Sequence, residues 1–429
     1  MNFLASRTQK FFNSTSFLLK FANKLSELKA YNPIDEKDGF VDLGISENRL
    51  MLDILSEKFK EEEMQTWLPP YQFYYNHKGI LALREALADF FQERFVKNNN
   101  AVTIRPSDLS IVNGASSCFT VLSYCIANQN DYILIETPYY SAISFDINCL
   151  TDNHVYFVHT KRENNFVATL NDYEIAFENA KSENKKVSAI IIVNPGNPIG
   201  NLSNKERLLN LLNFAKVREL HVIVDEIYAN CVYDSKLEFQ SILSYFDEIP
   251  DPLRTHFMWS FSKDLCSAGM RCGVIYSQNE YLIQAISKMG LIFSTPYIAQ
   301  HKLTLILNDK AWLNKFFEVN HNRMLNSKEI ITRELTKLSV KCMDTCSGFF
   351  LWADFRFVFS STLDQSEITF QKEMILFEIF FKNGLYIVPG QALSCIEPGW
   401  FRIVFCAPEC ILMEAAIRIR KSIIEFHEV

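Results

Sequence analysis

The chain has 429 residues, of which 22% are charged and 48% hydrophobic, with a formal net charge of -7 and an isoelectric point near 5.7. This length predicts two or three domains with a large buried core. The acidic balance argues against a nucleic-acid-binding protein, which usually carries a basic face. No apolar run reaches the roughly 18 residues of a membrane-spanning helix. We therefore expect a globular protein whose partners are small molecules.

The eleven cysteines are scattered from Cys118 to Cys410 and include no CxxC pair. Zinc sites and disulfide frameworks show regular close spacings or occur in small secreted chains, and neither condition is met. We therefore predict reduced thiols, no metal site and a cytoplasmic protein.

The first 26 residues, MNFLASRTQKFFNSTSFLLKFANKLS, carry four basic side chains and no acidic one. A mitochondrial presequence has this composition, but an amphipathic opening helix formed by the run FLLKFANKL is the simpler interpretation. The cytoplasm is therefore the preferred location, with mitochondria as the alternative.

From Lys78, the segment KGILALREALADFFQERF has apolar residues at helical spacing, which predicts an amphipathic helix that begins at Gly79. Its apolar face predicts core packing. The residues of this face are Ile80, Leu83, Leu87, Phe90 and Phe91.

Short apolar runs then alternate with helical patterns: DYILIE, SAIIIVNP, HVIVDEIY, THFMWSF and RCGVIYS. Runs of this kind are typical of a mostly parallel sheet in an α/β domain. Beyond about Tyr297 the pattern changes to long helical stretches, followed by FFLWADF, a helix around EMILFEIFFKNG, and the strand-like runs GLYIV and WFRIVF. This part predicts a second, smaller α+β domain.

Three of the predicted strands end in polar residues. One such ending is usually a turn or a helix cap. Three in chain order predict a shared site, because ligands bind beyond the carboxyl ends of parallel strands. The residues are Asn194 and Asn197, then Asp225 and Tyr228, then Ser260, Ser262 and Lys263.

A lysine, an acid and a set of phosphate ligands are what pyridoxal phosphate requires. The stretch SFSKDLCSAGMR resembles the cofactor-lysine motif of the class I/II aminotransferases, S-x-S-K with an arginine eight residues after the lysine, and NPGNPIG and DEIY precede it. Within that family the sequence looks most like the 1-aminocyclopropane-1-carboxylate (ACC) synthases and their animal branch, through VDLGISENRL, ETPYYSAI and EPGWFRIVF.

The resemblance implies the α/β fold of the pyridoxal-phosphate-dependent transferases of fold type I. This fold has a mostly parallel central sheet with helices on both faces, plus a smaller α+β domain. The expected division is 1–70 for an N-terminal arm and part of the small domain, 71–300 for the large cofactor-binding domain, and 301–429 for the C-terminal small domain.

The resemblance also assigns roles around the cofactor ring. Lys263 would be the Schiff-base lysine, and Asp225 would pair with the pyridine nitrogen and keep it protonated. Asn197 and Tyr228 would donate hydrogen bonds to the ring oxygen. Tyr140, in preference to its neighbour in TPYY, would stack on the ring face. A buried cap or a packing residue is the alternative role for each of the last four.

For the phosphate, the resemblance implies Ser260 and Arg271 as ligands and Ser262 as an additional candidate. The segment NGASS would bring the backbone N–H groups of Ala115 and Ser116 to the phosphate where the chain turns into a helix.

For the substrate, Arg402 in PGWFR would form a bidentate pair with the α-carboxylate, a geometry that lysine cannot copy. Asn197 would assist it, and Glu47 in GISENRL matches a glutamate that the ACC synthases place beside the substrate.

The family completes each active site with a residue from a second subunit, so the resemblance implies a homodimer with shared sites. The plant enzymes use a tyrosine two residues before the glycine that corresponds to Gly79. Here His77 stands at that position, with Tyr74 and Tyr75 just upstream. This departure weakens the case for plant-type ACC synthesis.

The predicted function is therefore that of an ACC-synthase-like enzyme with aminotransferase-type chemistry, in which Lys263 mediates a 1,3-proton transfer on an α-amino acid. The alternative is ACC synthesis or C–S elimination on S-adenosylmethionine or another sulfur amino acid. A non-catalytic protein with this fold is a third interpretation, and the presence of Lys263, Asp225 and Arg402 argues against it.

Overall fold

The computed structural model describes residues 5, 8, 16–233, 237–360, 364 and 366–428, except for the side chain of residue 19. The strands are β1 (Val41–Asp42), β2 (Leu109–Val112), β3 (Tyr132–Thr137), β4 (His154–His159), β5 (Val187–Val193), β6 (His221–Asp225), β7 (Thr255–Ser260), β8 (Gly273–Tyr276), β9 (Lys341–Cys342), β10 (Phe350–Asp354), β11 (Leu385–Tyr386), β12 (Val388–Pro389) and β13 (Trp400–Val404).

The α-helices are α1 (Phe17–Ser26), α2 (Leu52–Lys58), α3 (Glu62–Gln65), α4 (Leu81–Phe91), α5 (Gly114–Ile126), α6 (Ala142–Asn148), α7 (Leu170–Ser182), α8 (Lys205–Val217), α9 (Phe261–Asp264), α10 (Glu280–Phe293), α11 (Tyr297–Asn308), α12 (Lys310–Lys337), α13 (Arg356–Phe359), α14 (Phe370–Lys382) and α15 (Glu409–Phe426). A π-helical turn, Gln92–Val96, extends α4, and 3-10 turns cover Pro69–Gln72, Pro106–Asp108, Arg162–Asn164, Ile242–Glu248, Ala268–Met270 and Gly390–Leu393.

The central sheet has seven strands in the order β2-β8-β7-β6-β5-β3-β4. The strands from β7 to β4 pair in parallel, whereas β8 runs antiparallel to both of its neighbours. Alternate residues of the inner strands enter two different hydrophobic clusters, as Ile190 and Ile191 of β5 do. Because side chains on a strand alternate between faces, helices cover both faces of this sheet.

The structure confirms the five predicted strand runs and the helix predicted after Gly79, which is α4. The strands β2 and β4 were not anticipated. β2 has only four residues, and β4 is an edge strand whose end residues His154 and His159 are exposed, so neither gives a continuous apolar run.

A second hydrophobic core surrounds the antiparallel sheet β12-β13-β10-β9 and the parallel pair of β1 with β11. It joins Phe21, Val41 and Leu43 from the N-terminal part to residues from Met324 onward. The first core ends at Phe317, so the single helix α12 serves both cores. The predicted bounds at 70 and 300 stay a prediction.

The predicted opening helix is confirmed as α1, while residues 1–4, 6–7 and 9–15 of the opening segment lie outside the described residues. Phe17 and Phe21 of α1 pack on Phe377, with ring centroids 5.1 Å and 4.9 Å apart. Across the described ranges, no helix is both long enough and apolar enough to cross a membrane.

Candidate active site

The carboxyl ends of four neighbouring strands, β7, β6, β5 and β3, meet at one edge of the central sheet. Lys263 lies in the short helix after β7, and Asp225 is the last residue of β6. Asn197 follows β5, and Tyr140 follows β3. The three strand endings singled out in the sequence are therefore neighbours in space, and a fourth strand adds to them.

A cavity of about 250 Å³ lies at this edge of the sheet. Most of the residues predicted for the site border it, and the exceptions are Ser260 and Glu47. The bordering site residues are Ala115, Ser116, Tyr140, Asn197, Asp225, Tyr228, Ser262, Lys263, Arg271 and Arg402.

Lys263 extends towards the N-terminal arm, and its ammonium group donates a hydrogen bond to the carbonyl oxygen of Ser46. Burial, with a smaller contribution from the Arg402 guanidinium, lowers the pKa of Lys263 to about 8. A lysine in this environment has a larger neutral fraction near pH 7 than an exposed lysine. It is therefore suited to nucleophilic and proton-transfer chemistry.

The Asp225 carboxyl is almost fully buried, and its Oδ1 accepts a hydrogen bond of 3.1 Å from the backbone N–H of Ile227. Burial raises its pKa to about 7, because water no longer stabilises the charged form. A cationic ring nitrogen beside this group would favour its ionised form. The position is thus suited to a ligand that carries a positive charge.

A candidate anion site lies where β2 ends and α5 begins. Gly114, the first residue of α5, has φ of +84°, and a Cβ atom there would lie 2.6 Å from an Arg271 guanidinium nitrogen. Glycine therefore allows the arginine to approach the helix N-terminus, where the backbone N–H groups of Ala115 and Ser116 have no partner within the helix. A helix N-terminus beside a guanidinium favours a phosphate.

The two serines of the S-x-S-K motif occupy different places. Ser262 borders the cavity. Ser260 is fully buried, and its hydroxyl lies 2.8 Å from the Ser262 hydroxyl and donates a hydrogen bond to the Cys272 carbonyl oxygen. In this geometry Ser260 supports Ser262, and its predicted role as a phosphate ligand stays a prediction.

Arg402 lies on β13 and is 1% exposed. Its Nη1 donates to Asn197 Oδ1 at 3.0 Å, and its Nη2 donates to the Gly44 carbonyl oxygen at 2.7 Å. Its Nε is buried and has no hydrogen-bond partner among the described residues. Arg402 borders the cavity, and a guanidinium held in place by two neighbours is a suitable site for a carboxylate.

Tyr140 borders the cavity, whereas the hydroxyl of Tyr139 bonds to Ser144 on the other side. Tyr228 is buried, with its ring 5.4 Å from that of Phe350 and the Arg402 guanidinium among its charged neighbours. Glu47 does not border the cavity. Its carboxylate is half-exposed and lies 3.9 Å from the Arg49 guanidinium.

Several further residues that the sequence did not single out also border the cavity, among them Leu18 and Ala22 of α1, Asp146 of α6 and Tyr386 of β11. Burial raises the pKa of the Asp146 carboxyl to about 6. All four belong to ordinary amphipathic patterns, so no local signal separates them from core residues. Only the packing of distant elements brings them to the site.

The three candidates for a second-subunit contribution differ in exposure. Tyr74 is 97% exposed. Tyr75 donates its hydroxyl hydrogen bond to the Thr295 carbonyl oxygen of its own chain, with its ring 5.5 Å from that of Tyr297. His77 lies against Gly290. Of the three, Tyr74 is the most exposed.

The sequence matches the family described as "Aminotransferase class I and II" over residues 38–418. The chain belongs to this family. It is 32% identical over 411 residues to 1-aminocyclopropane-1-carboxylate synthase-like protein 1 of Takifugu rubripes, covering 94% of this chain and 65% of the length of that protein. It is also 32% identical to mouse "Probable inactive 1-aminocyclopropane-1-carboxylate synthase-like protein 2", over 90% of this chain and 66% of that protein.

Among solved structures, an aspartate aminotransferase double mutant from Thermus thermophilus superposes with a TM-score of 0.78 at 20% identity, over 98% of this chain and all of that one. This likeness confirms fold type I, as the resemblance implied. The recognised family and its cofactor, pyridoxal 5′-phosphate, are confirmed as well.

The residues around the cavity fit this cofactor. The buried Nε of Arg402, a residue that borders the cavity, has no partner among the described residues, and a polar ligand would satisfy this donor. The helix N-terminus with Arg271 suits a phosphate, and Asp225 suits a protonated ring nitrogen. Within the part of the chain that the structure describes, no group of three or more histidine, cysteine or acidic side chains could hold a metal ion.

Proposed function

We propose that this chain is a pyridoxal-phosphate-dependent enzyme that acts on an α-amino acid by transamination. The observation that carries the proposal is Lys263, which is partly buried, borders the same cavity as Asp225, Arg271 and Arg402, and has a pKa of about 8. A protein that used this fold only for binding would have no need of a lysine with a lowered pKa at this point.

When bound, the cofactor would supply an electron sink that acidifies the Cα proton of the substrate. Asp225 would hold the ring nitrogen, while Arg271 and the N-terminus of α5 would hold the phosphate. Asn197 and Tyr228 would donate to the ring oxygen, and Tyr140 would cover the ring face. Each of these roles rests on the position of the side chain around the cavity.

Arg402 would bind the substrate α-carboxylate, using its unmatched Nε, and would thereby orient Cα towards Lys263. Lys263 Nζ, displaced by the substrate amino group, would accept the proton from Cα and then donate it in the 1,3-transfer that leads to a keto acid. The fixed hydrogen bonds from Arg402 to Asn197 and Gly44 keep the guanidinium in place before the substrate arrives.

The competing reactions are ACC synthesis and C–S elimination on a sulfur amino acid. They begin with the same proton transfer by Lys263, and the names of the curated relatives favour them as the second candidate. The products decide between them. The cofactor-loaded protein should be incubated with a panel of amino acids and with S-adenosylmethionine, each with an acceptor keto acid, and every product identified by mass.

Transamination predicts new keto acids and amino acids in equal amounts, absent with Lys263→Ala. ACC, or ammonia with a keto acid and a thiol fragment, would instead support the second candidate. The absence of any turnover by protein that holds the cofactor on Lys263 would leave the binding role suggested by the "Probable inactive" relatives.

We further propose a homodimer with shared sites. The support is the exposed aromatic side chains of Phe73 and Tyr74, 69% and 97% exposed, beside the partly buried Tyr75. Large exposed aromatic groups in a contiguous stretch are typical of a surface that another chain covers. A cytoplasmic location stays a prediction.

A further inference from the structure

Helix α1 forms one wall of the active-site cavity. Leu18 and Ala22 are four residues apart, so they lie on the same face of the helix, and both border the cavity. The adjoining face carries Phe17 and Phe21. A helix from the N-terminal part of the chain therefore contributes apolar side chains to a site whose charged groups come from the edge of the central sheet and, for Arg402, from β13.

Aromatic packing fixes this wall in place. The Phe21 ring lies 4.9 Å from Phe377 and 5.1 Å from Phe381, and it stacks on Tyr386 at 5.7 Å. Contacts of this type stabilise a cluster beyond the burial of apolar area alone. Leu18 and Ala22 are thus held by a rigid cluster.

The wall lies at the end of the cavity where Arg402 is found. Arg402 donates to the Gly44 carbonyl oxygen, and a Cβ atom on Gly44 would meet the Tyr386 ring at 2.2 Å. Because Tyr386 in turn stacks on Phe21, the contacts run without a gap from the carboxylate site to α1. Leu18 and Ala22, on the same helix as Phe21, therefore belong to the part of the cavity wall that is connected to Arg402.

The charges around the cavity leave this wall neutral. Of the residues the structure describes, the cations that border the cavity are Lys263, Arg271 and Arg402, and each has a role in the proposed function. Lys24 of α1 lies over the rings of Phe21 and Phe381 and not on the cavity. The described residues that border the cavity therefore include no cation beyond these three that would pair with a carboxylate on the substrate side chain.

We propose that the enzyme takes α-amino acids with uncharged, apolar side chains, and that Leu18 and Ala22 determine this specificity. The inference rests on the proposed function, in which Arg402 binds the α-carboxylate. It adds the chemical class of the side chain, which burial against an apolar wall favours over a charged group.

Carboxylates without an amino group test this without turnover, because they can bind but not react. The cofactor-loaded protein should be titrated with acetate, 4-methylpentanoate, 3-phenylpropanoate, succinate and glutarate, and each Kd measured by calorimetry. We expect the two apolar acids to bind at least about tenfold more tightly than acetate, succinate and glutarate, since each buried methylene in an apolar pocket gives a factor of about ten or more.

The variants Leu18→Ala and Leu18→Arg make the test specific to the wall. Both should weaken 4-methylpentanoate binding about tenfold or more and leave acetate unchanged, and Leu18→Arg should strengthen glutarate binding. Leu28→Arg, at an exposed leucine that does not border the cavity, is the matched control and should behave like the parent protein.

The outcomes separate the two proposals. Tighter binding of succinate or glutarate than of 4-methylpentanoate by the parent protein would overturn the specificity while the carboxylate site of Arg402 stands. Equal effects of Leu18→Arg and Leu28→Arg would overturn the role of α1. If no carboxylate binds to protein loaded with cofactor, the proposed function fails, and the specificity fails with it.

Discussion

Burial and neighbouring charges determine the chemistry of the individual site residues. Water is replaced by protein around both Lys263 and Asp225, which lowers the pKa of the lysine to about 8 and raises that of the carboxyl to about 7. Both groups therefore change protonation in the range where a cofactor with a titratable ring would exchange protons with them. An isolated lysine or aspartate on the surface would have neither property.

Asp225→Asn tests the electrostatic role of the carboxylate. Asparagine has the same size but no charge, so the variant should still bind the cofactor through Lys263, Arg271 and the N-terminus of α5. Turnover should fall by a factor on the order of 10³ or more, because the ring nitrogen would lose its charge partner. Cofactor content by absorbance and steady-state turnover are the measurements. Near-normal turnover with full cofactor content would contradict the assigned role.

At the scale of elements, a buried carboxylate joins the turn that carries Lys263 to the turn after β6. Asp264 is fully buried and accepts hydrogen bonds from Trp259 Nε1 at 2.7 Å, from the backbone N–H and side chain of Asn230 at 3.0 and 2.9 Å, and from Cys231 Sγ at 3.1 Å. The bonds fix α9 against the segment that holds Asp225 and Tyr228. This arrangement keeps the lysine and the acid at a constant separation.

Removing this acceptor should loosen the site and destabilise the fold. Asp264→Ala leaves buried donors without a partner, each at a cost of about 1–3 kcal/mol, so we expect the free energy of unfolding to fall by about 3 kcal/mol or more. Denaturant titration measures it, with Asp89→Ala, at an exposed position of α4, as the control. A loss below about 0.5 kcal/mol would show that the four bonds do not stabilise the turn.

A second buried acid supports the strand that carries Arg402. Glu373 of α14 accepts hydrogen bonds from the backbone N–H of Gln391 at 2.8 Å and of Gly399 at 2.6 Å, and Gly399 directly precedes β13. Burial raises its pKa from the usual 4.5 to about 7. Between these two pH values the folded state therefore binds more protons at this site than the unfolded state does.

It follows that this group lowers the free energy of unfolding as pH rises from about 4.5 to about 7, by up to about 3 kcal/mol. Glu373→Gln should remove this part of the pH dependence, so unfolding of the variant should vary less with pH over that range. Glu378→Gln, at an exposed position of the same helix, should keep the parent slope. Identical slopes for Glu373→Gln and the parent protein would contradict the prediction.

The elements were predictable from the sequence where a pattern extends over many residues. The apolar runs of β5, β6 and β7 were recognisable because a strand buried on both faces has apolar residues throughout. The helix α4 was recognisable because a helix buried on one face has apolar residues at helical spacing. The edge strand β4 was not recognisable in the sequence, because its exposed end residues interrupt the apolar run. The antiparallel direction of β8 was not predictable either, because strand direction depends on the connection and not on composition.

Some residues of the candidate site could also be predicted from the sequence, and others could not. Lys263, Asp225 and Arg402 stand in short motifs, so they could be proposed from the sequence, and the structure places all three around one cavity. Leu18 and Tyr386 reach the cavity only because the two ends of the chain pack together in the second core. Contacts between segments so far apart leave no local pattern in a single sequence.

At the scale of the whole molecule, the exposed aromatic stretch around Tyr74 predicts that two chains share their active sites. Lys263→Ala and Tyr74→Ala proteins should each be inactive alone. After mixing and subunit exchange, activity should return to roughly a quarter of the parent value, because half of the dimers are mixed and each of those has one intact site.

The comparison variant is the double substitution Tyr75→Ala, His77→Ala, whose tyrosine bonds within its own chain. If activity returns with this variant but not with Tyr74→Ala, the residue that reaches the active site of the second subunit is Tyr75 or His77. No recovery with either, despite exchange proven by mass, would mean that each chain has a complete site of its own.

The central claim is that Lys263 holds pyridoxal phosphate. The protein loaded with the cofactor should be reduced with borohydride, which makes the lysine–cofactor bond permanent, and then digested with trypsin. Because a modified lysine is not cleaved, we expect a single modified peptide that runs from Thr255 to Arg271, with the mass of the reduced cofactor on Lys263. A cofactor adduct on any other lysine, or cleavage after Lys263 in protein that retains the cofactor, would contradict it.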